Sequence, residues 1–154
     1  MTQKLHPDDR QILHHLQQNA RVGVDALAAE TGVSVSSVQR RIKSLKTRGI
    51  ITSEVAVVSA EKVGQSMGFV VMVELERERL DQIDAFARRC QADPQVQQCY
   101  YITGDADFCL ICTAADMAEF EDLTKRLFFQ DSNVRRFRSS VMMSKRKVGL
   151  TVRV

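Results

Sequence analysis

The sequence predicts an α+β chain in two parts, three short helices packed on one another followed by strands and helices in the order βαββαβ. Two observations carry this. Over residues 5–50, apolar side chains recur at spacings of three and four, and Gly and Ser residues separate three such segments. Beyond residue 66, period-two apolar runs alternate with helical ones, and Asp93-Pro94 and Gly104-Asp105 mark turns between them. The expected boundaries are residues 1–51 for the first domain, 52–65 for a strand and hinge linker, and 66–154 for the second domain.

Composition bounds the alternatives. At 154 residues, 44% hydrophobic and 27% charged, with 7 Gly and 2 Pro, the chain is neither disordered nor collagen-like. Its longest apolar run, Phe69-Val70-Val71-Met72-Val73, is strand-sized and far short of a membrane span. The first residues lack the apolar core of a signal peptide. We therefore expect a cytoplasmic protein with no membrane partner, whose four cysteines, Cys90, Cys99, Cys109 and Cys112, are thiols.

The first helix is expected from Pro7 to Asn19. Pro7 suits a first helical position, and Asp8 and Asp9 sit at the positive end of the dipole. Its inward stripe is Ile12, Leu13, Leu16 and Ala20. A short second helix runs from Val24 to Thr31, with Leu27 and Ala28 inward and Gly32 as a left-handed stop. Ser34 caps a third helix, its hydroxyl placed to accept from the amide of Ser36 or Ser37. Val35, Val38, Ile42 and Leu45 form that helix's apolar face. Gly49 ends it, and an extended stretch follows through Glu54-Val55-Ala56-Val57-Val58.

Charge is unevenly distributed. Residues 1–60 hold eight basic and five acidic side chains, which is the whole of the formal +3; residues 61–154 hold fourteen of each sign. Val35–Arg48 contains Arg40, Arg41, Lys43, Lys46 and Arg48 and no acid. At ~100° per residue, Ser36, Arg40, Lys43 and Thr47 project opposite the apolar face. Gln39 flanks them on one side, Ser37 and Ser44 on the other. Small hydroxyls near the N-terminal end permit close approach to a major groove, Gln and Arg can read base edges, and Lys neutralises phosphate. A structural three-helix bundle would share the spacing and the cap, but its outer face has no need to be cationic. The observations favour a helix-turn-helix with Ser34, Ser36, Ser37, Gln39, Arg40, Lys43, Thr47 and Arg48 as DNA-binding residues.

The runs Asp9-Arg10-Gln11-Ile12-Leu13, Leu27-Ala28, Gly32-Val33-Ser34, Arg40-Arg41-Ile42-Lys43-Ser44-Leu45 and Gly49-Ile50-Ile51 resemble the DNA-binding half of the Lrp/AsnC (feast/famine) transcription regulators. The resemblance extends over nearly the whole chain. Gly23 stands where the family usually has a Ser cap and His6 where it usually has Asp, changes worth up to ~1 kcal/mol of capping. The resemblance implies a winged helix-turn-helix followed by a ferredoxin-like, RAM-type domain that binds an amino acid and dimerises. It also implies double-stranded DNA as partner and self-assembly from homodimer to octamer.

In the second domain, strands are expected at Met67–Glu76, Val96–Thr103, Asp107–Thr113 and Phe137–Ser144, with an edge strand at Val148–Val154. Leu80, Ile83, Phe86 and Ala87 mark one helix, from about Arg79 to Gln91. Asp116 caps another, with Met117, Phe120, Leu123, Thr124, Leu127 and Phe128 inward. That order is ferredoxin-like, an antiparallel sheet with two helices on one face. The other face, partly apolar through Val70, Met72 and Met142, calls for a partner, most simply a second copy.

Thr103-Gly104-Asp105-Ala106-Asp107-Phe108 joins two strands. Asp and Gly are ordinary hairpin residues, which explains the stretch structurally. Alternatively, its free amides receive a carboxylate and an aspartate pairs with an α-ammonium. The stretch is similar to the family's G-x-x-D effector motif, with Gly104 and Asp107 in the matching places. That similarity implies Thr103, Gly104, Asp105, Ala106 and Asp107 as effector-binding residues, with Ser139 at a position linked to effector response. No cofactor is expected beyond this amino acid effector.

Other features point nowhere specific. Cys109 and Cys112 are three apart on a strand, so their thiols face opposite sides and cannot clasp a metal. His6, His14 and His15 lack ligand spacing, and Walker, G-x-S-x-G and H-E-x-x-H motifs are missing. Catalysis through Asp105 or Asp107 has no adjacent His, Lys or nucleophile to complete it. The alternative to an effector-responsive regulator is an architectural protein that coats DNA with little sequence preference.

Overall fold

Pro7 and Gly32 delimit the first helices much as their backbone preferences require. The computed structural model describes residues 5–154, which divide into two units: the N-terminal residues through Val57 together with Lys147–Val154, and Val58–Arg146.

The first unit holds helices α1 (Pro7–Gln18), α2 (Val24–Thr31) and α3 (Val35–Thr47). Ile12, Leu13, Leu27, Val38 and Leu45 form its core, with Leu16, Ala28, Ile42, Ile50 and Ile51 packed around them. α1 ends at Gln18, so Ala20 lies beyond it and is exposed rather than inward. His6 supplies the cap that its departure from Asp put in question: Nδ1 accepts from the Asp8 amide at 3.2 Å. Gly23 caps α2 without a side-chain bond. Gly32 takes φ 69°, the left-handed region where a side chain is strained. Ser34 occupies the cap of α3 but makes no side-chain capping bond; its hydroxyl lies 3.4 Å from that of Ser36.

Two expected strands do not form. Residues 54–58 pair with no other described strand, and Val55, Val57 and Val58 are exposed. No strand-built wing is therefore present among the described residues. A strand without a ladder partner leaves its amides to water, and alternation alone cannot supply that partner. Val148–Val154 likewise adds no strand to the sheet. Instead the Gln17 side chain imitates a ladder, accepting from the Val152 amide at 2.7 Å and donating to its carbonyl at 3.1 Å, and Val154 packs against the helical core.

The second unit is a four-stranded antiparallel sheet in the order β2-β3-β1-β4, formed by β1 (Met67–Leu75), β2 (Val96–Tyr101), β3 (Phe108–Ala114) and β4 (Val134–Val141). A short 3-10 turn, Glu61–Val63, precedes it. Helices α4 (Leu80–Ala92) and α5 (Met117–Thr124), the latter continuing as a π-helical turn over Lys125–Phe129, cover one face. Phe69, Val71 and Val73 of β1, Leu110 and Cys112 of β3, Ile83 and Phe86 of α4, and Phe120, Leu123, Leu127 and Phe128 make the core. Phe69 and Phe120 stack with centroids 3.6 Å apart. Leu80 and Met117, expected inward, are exposed because each begins its helix, a turn before the stripe reaches the sheet.

β4 starts three residues earlier than expected and ends at Val141. Its charged start lies outside the expected Phe137–Ser144, and Asn133 and Arg136 anchor it. Asn133 accepts from the Arg77 amide and donates to its carbonyl, and Arg136 bonds both oxygens of Glu74 on β1, at 2.6 and 2.9 Å. The sheet's other face carries Val70, Met72, Cys109 and Ile111, with Tyr100 and Arg138 in register beside Cys109 and Met72. Cys109 pairs with Met72 on this face and Cys112 with Phe69 on the helix face, so the two thiols do diverge.

The Glu74–Arg136 pair yields a pH prediction. The Arg136 guanidinium, helped by Arg138 and Arg135 and opposed by burial, holds the Glu74 carboxyl below its usual range. A depressed folded value adds stability above the unfolded value and loses it as pH falls through the folded one. Glu74→Gln should therefore lower the melting temperature at neutral pH, and the gap to wild type should close below about pH 4, as followed by thermal denaturation across pH.

Candidate nucleic-acid interface and effector turn

The basic run on α3 is acid-free in sequence but not in space. Arg41 Nη1 bonds Asp9 Oδ1 at 2.9 Å and Arg41 Nη2 bonds Asp8 Oδ2 at 2.6 Å, so the two acids that open α1 neutralise a cation of α3. Asp9 is buried, which makes this the central polar contact of the helical unit. Arg48, expected among the DNA-binding residues, approaches Asp9 at 3.9 Å. The cause is angular: seven residues add about 20° short of two full turns, so Arg48 returns to the Arg41 side of the helix. Lys46 bonds Glu54 at 3.0 Å. Three of the five cations are thus engaged within the unit.

Arg40 and Lys43 are exposed, and with them Ser34, Ser36, Gln39 and Thr47. Arg40 Nη2 donates only to the half-buried Ser37 hydroxyl, at 3.4 Å, and the Thr47 hydroxyl donates back to the Lys43 carbonyl at 3.0 Å. Gln39, Lys43, Lys46 and Thr47 rim a shallow hollow of about 380 Å³ floored by Val24 and Ile42. One convex helix face thereby presents hydroxyls, an amide and two cations to the outside. The sequence reading missed the engagement of Arg41 and Lys46; the adjacent acids Asp8 and Asp9, two on one helical turn, were the available signal.

The turn from β2 to β3 is built around Asp107. Its amide donates to the Val73 carbonyl at 2.9 Å, its carbonyl accepts from Ile102 at 2.8 Å, and its Oδ2 accepts from the Leu75 amide at 2.6 Å. That last bond continues the β1–β3 edge past the last paired residues, Val73 and Phe108, with a side-chain oxygen in place of a backbone carbonyl. One oxygen of Asp107, expected among the effector-binding residues, thus secures the sheet. Thr103, Gly104 and Asp105 are exposed and Ala106 is buried. Gly104 has φ 119°, and a Cβ there would meet open space, so the backbone angle alone demands glycine. Ser139 is exposed on the edge strand β4, opposite Val71, and β1 separates it from the turn.

A helix-turn-helix with an outward cationic face, joined to a ferredoxin-like sheet, defines a two-domain DNA-binding protein with a sensor-type second half. The AsnC-type helix-turn-helix domain matches residues 7–46, and the Lrp/AsnC ligand binding domain matches residues 68–151. The chain belongs to the Lrp/AsnC family of transcription regulators. It is 40% identical to an uncharacterized HTH-type transcriptional regulator of Sinorhizobium fredii over 94% of this chain and 85% of that one. Among solved structures, an AsnC family transcriptional regulator from Agrobacterium tumefaciens superposes with a TM-score of 0.89 at 25% identity, covering 96% of each chain. A transcriptional regulator from Neisseria meningitidis in complex with L-Met gives 0.89 at 27% identity, over 97% of this chain and 96% of that one.

Two arginines one residue apart should behave oppositely. Arg41→Ala strands buried Asp9 and should cost the helical unit about 1–3 kcal/mol, while Arg40→Ala should change stability by less than about 0.5 kcal/mol. Urea denaturation, with hydrogen exchange of α1 and α3 amides, distinguishes them.

Proposed function

We propose that the chain regulates transcription by inserting α3 into the major groove of operator DNA and that an amino acid bound at the 103–107 turn modulates this. The observation carrying the reading is the sorting of charge on α3. Arg41, Lys46 and Arg48 are engaged by acids of their own unit, while Arg40 and Lys43 stay exposed on the face bearing Ser34, Ser36, Ser37, Gln39 and Thr47. Arg40 and Gln39 would read base edges, Lys43 would contact phosphate, and the serines would permit close approach.

Two such helices in a homodimer would address half-sites one helical turn apart, or a multiple of that. The uncovered sheet face, with Val70, Met72, Cys109 and Ile111, supplies an apolar surface for that dimer, and further assembly would give an octamer. For the effector, the turn offers exposed backbone at Thr103, Gly104 and Asp105 for a carboxylate, and the second Asp107 oxygen for an ammonium. The relative crystallised with L-Met supports an amino acid as the ligand class. A DNA-binding regulator of this kind would act in the cytoplasm.

Arg40→Ala should weaken specific DNA binding by about 1–3 kcal/mol, read by fluorescence anisotropy at fixed salt. Unchanged affinity would overturn the reading, and equal affinity for random DNA would favour the architectural one. Asp107→Asn keeps an acceptor for the Leu75 amide while removing the charge. It should therefore abolish the melting-temperature rise that an amino acid confers, and leave DNA binding intact.

A further inference from the structure

The hollow beside α3 has an apolar floor under a polar rim. Val24, the first residue of α2, and Ile42 of α3 make the floor, and Gln39, Lys43, Lys46 and Thr47 stand around it. Both floor residues pack against the helical core on one side and are only half-buried, so the remainder of each is open to the hollow. Gly23, at the cap of α2, adds no side chain beside Val24 that could cover it. The rim is sorted by its bonds. The Thr47 hydroxyl is tied back to the Lys43 carbonyl at 3.0 Å, and Lys46 is held by Glu54 at 3.0 Å. The Gln39 amide and the Lys43 ammonium bond no other described residue.

An apolar floor on the flank of a helix that enters a major groove has one chemical counterpart there. The base edges otherwise present hydrogen-bond donors and acceptors, and the apolar group among them is the C5 methyl of thymine. Resting on the reading of α3 as the helix that enters DNA, we propose that the Val24–Ile42 hollow seats a thymine methyl and so sets base preference in each half-site. The free Gln39 amide takes the N6 and N7 edge of an adenine in that base pair or the next, the bidentate match for a side-chain amide. Lys43 supplies charge toward phosphate and carries no sequence information.

This assignment separates thymine from uracil, which has the same hydrogen-bonding groups and lacks only the methyl. A site that used the rim alone would bind the two equally. Moving one methyl from water onto the Val24–Ile42 floor strengthens binding about fourfold, the effect of burying a single methylene-sized group.

The test uses the full-length protein. Selection from duplexes with a randomised core gives its preferred sequence, and each thymine of that sequence is then replaced singly by uracil. Fluorescence anisotropy at fixed salt should show a loss of about fourfold at one thymine per half-site and no loss at the others. Val24→Thr, which keeps the shape of the floor and adds a hydroxyl, should shrink that loss, and Val24→Ser should remove it. Where Val24→Ser lowers the melting temperature enough to unfold the helical unit, Val24→Thr alone decides. Repeating the selection with Gln39→Ala should lose the adenine at or beside that position. Equal binding of thymine and uracil at every position, or an unchanged loss in the folded Val24 variants, would overturn the inference. In that event Arg40→Ala still weakening specific binding would leave the reading of α3 standing, whereas a selection that recovers no preferred sequence would overturn both.

Discussion

The buried Asp9 carboxylate and its partner Arg41 govern how the helical unit presents itself. An unpaired carboxylate at that depth would be strongly disfavoured, so α1 and α3 must lie where the guanidinium can reach both Asp8 and Asp9. Fixing that contact fixes the rotation of α3 about its own axis. With Arg41 turned to α1 and Val38 and Leu45 to the core, Arg40 and Lys43 have only the outward direction left. In the proposed reading the ion pair would act on recognition indirectly, by setting which side chains α3 turns outward.

In the second unit the comparable constraint is the ladder of β1, the only strand flanked on one side by β3 and on the other by β4 with long runs of pairing. Where the β1–β3 pairing ends at Val73 and Phe108, the next amide of β1 facing that way is Leu75, and the Asp107 carboxylate accepts it. Sheet integrity and turn shape thus share one side chain. The turn is anchored by a residue bonded to Val73, Leu75 and Ile102, which limits the shapes its exposed residues can take.

Helix existence, the βαββαβ order and most core positions were legible because they follow from periodicity, which is local. What escaped was set by partners distant in sequence. Residues 54–58 and 148–154 alternate correctly for strands, but a strand exists only where another offers its backbone, and Gln17 took that place for Val152. The start of β4 was hidden because Arg135 and Arg136 look like solvated charge until Glu74 appears across the ladder from Arg136. At the candidate sites, the residue types were readable while their engagement was not. Arg48 and Arg40 look alike in the sequence, and only the acids of α1 separate them. Asp107 was legible as important, but its bond to Leu75 depends on where the β1–β3 pairing ends, which no local pattern announces.

The C-terminal segment changes what the two units mean as parts. Because Lys147–Val154 belongs to the helical unit, the polypeptide connects the units twice, once after Val57 and once before Lys147. Within that unit the segment is held by the paired hydrogen bonds between Gln17 and Val152 and by Val154 against the core, so its place is set by side chains of α1 and not by a strand ladder.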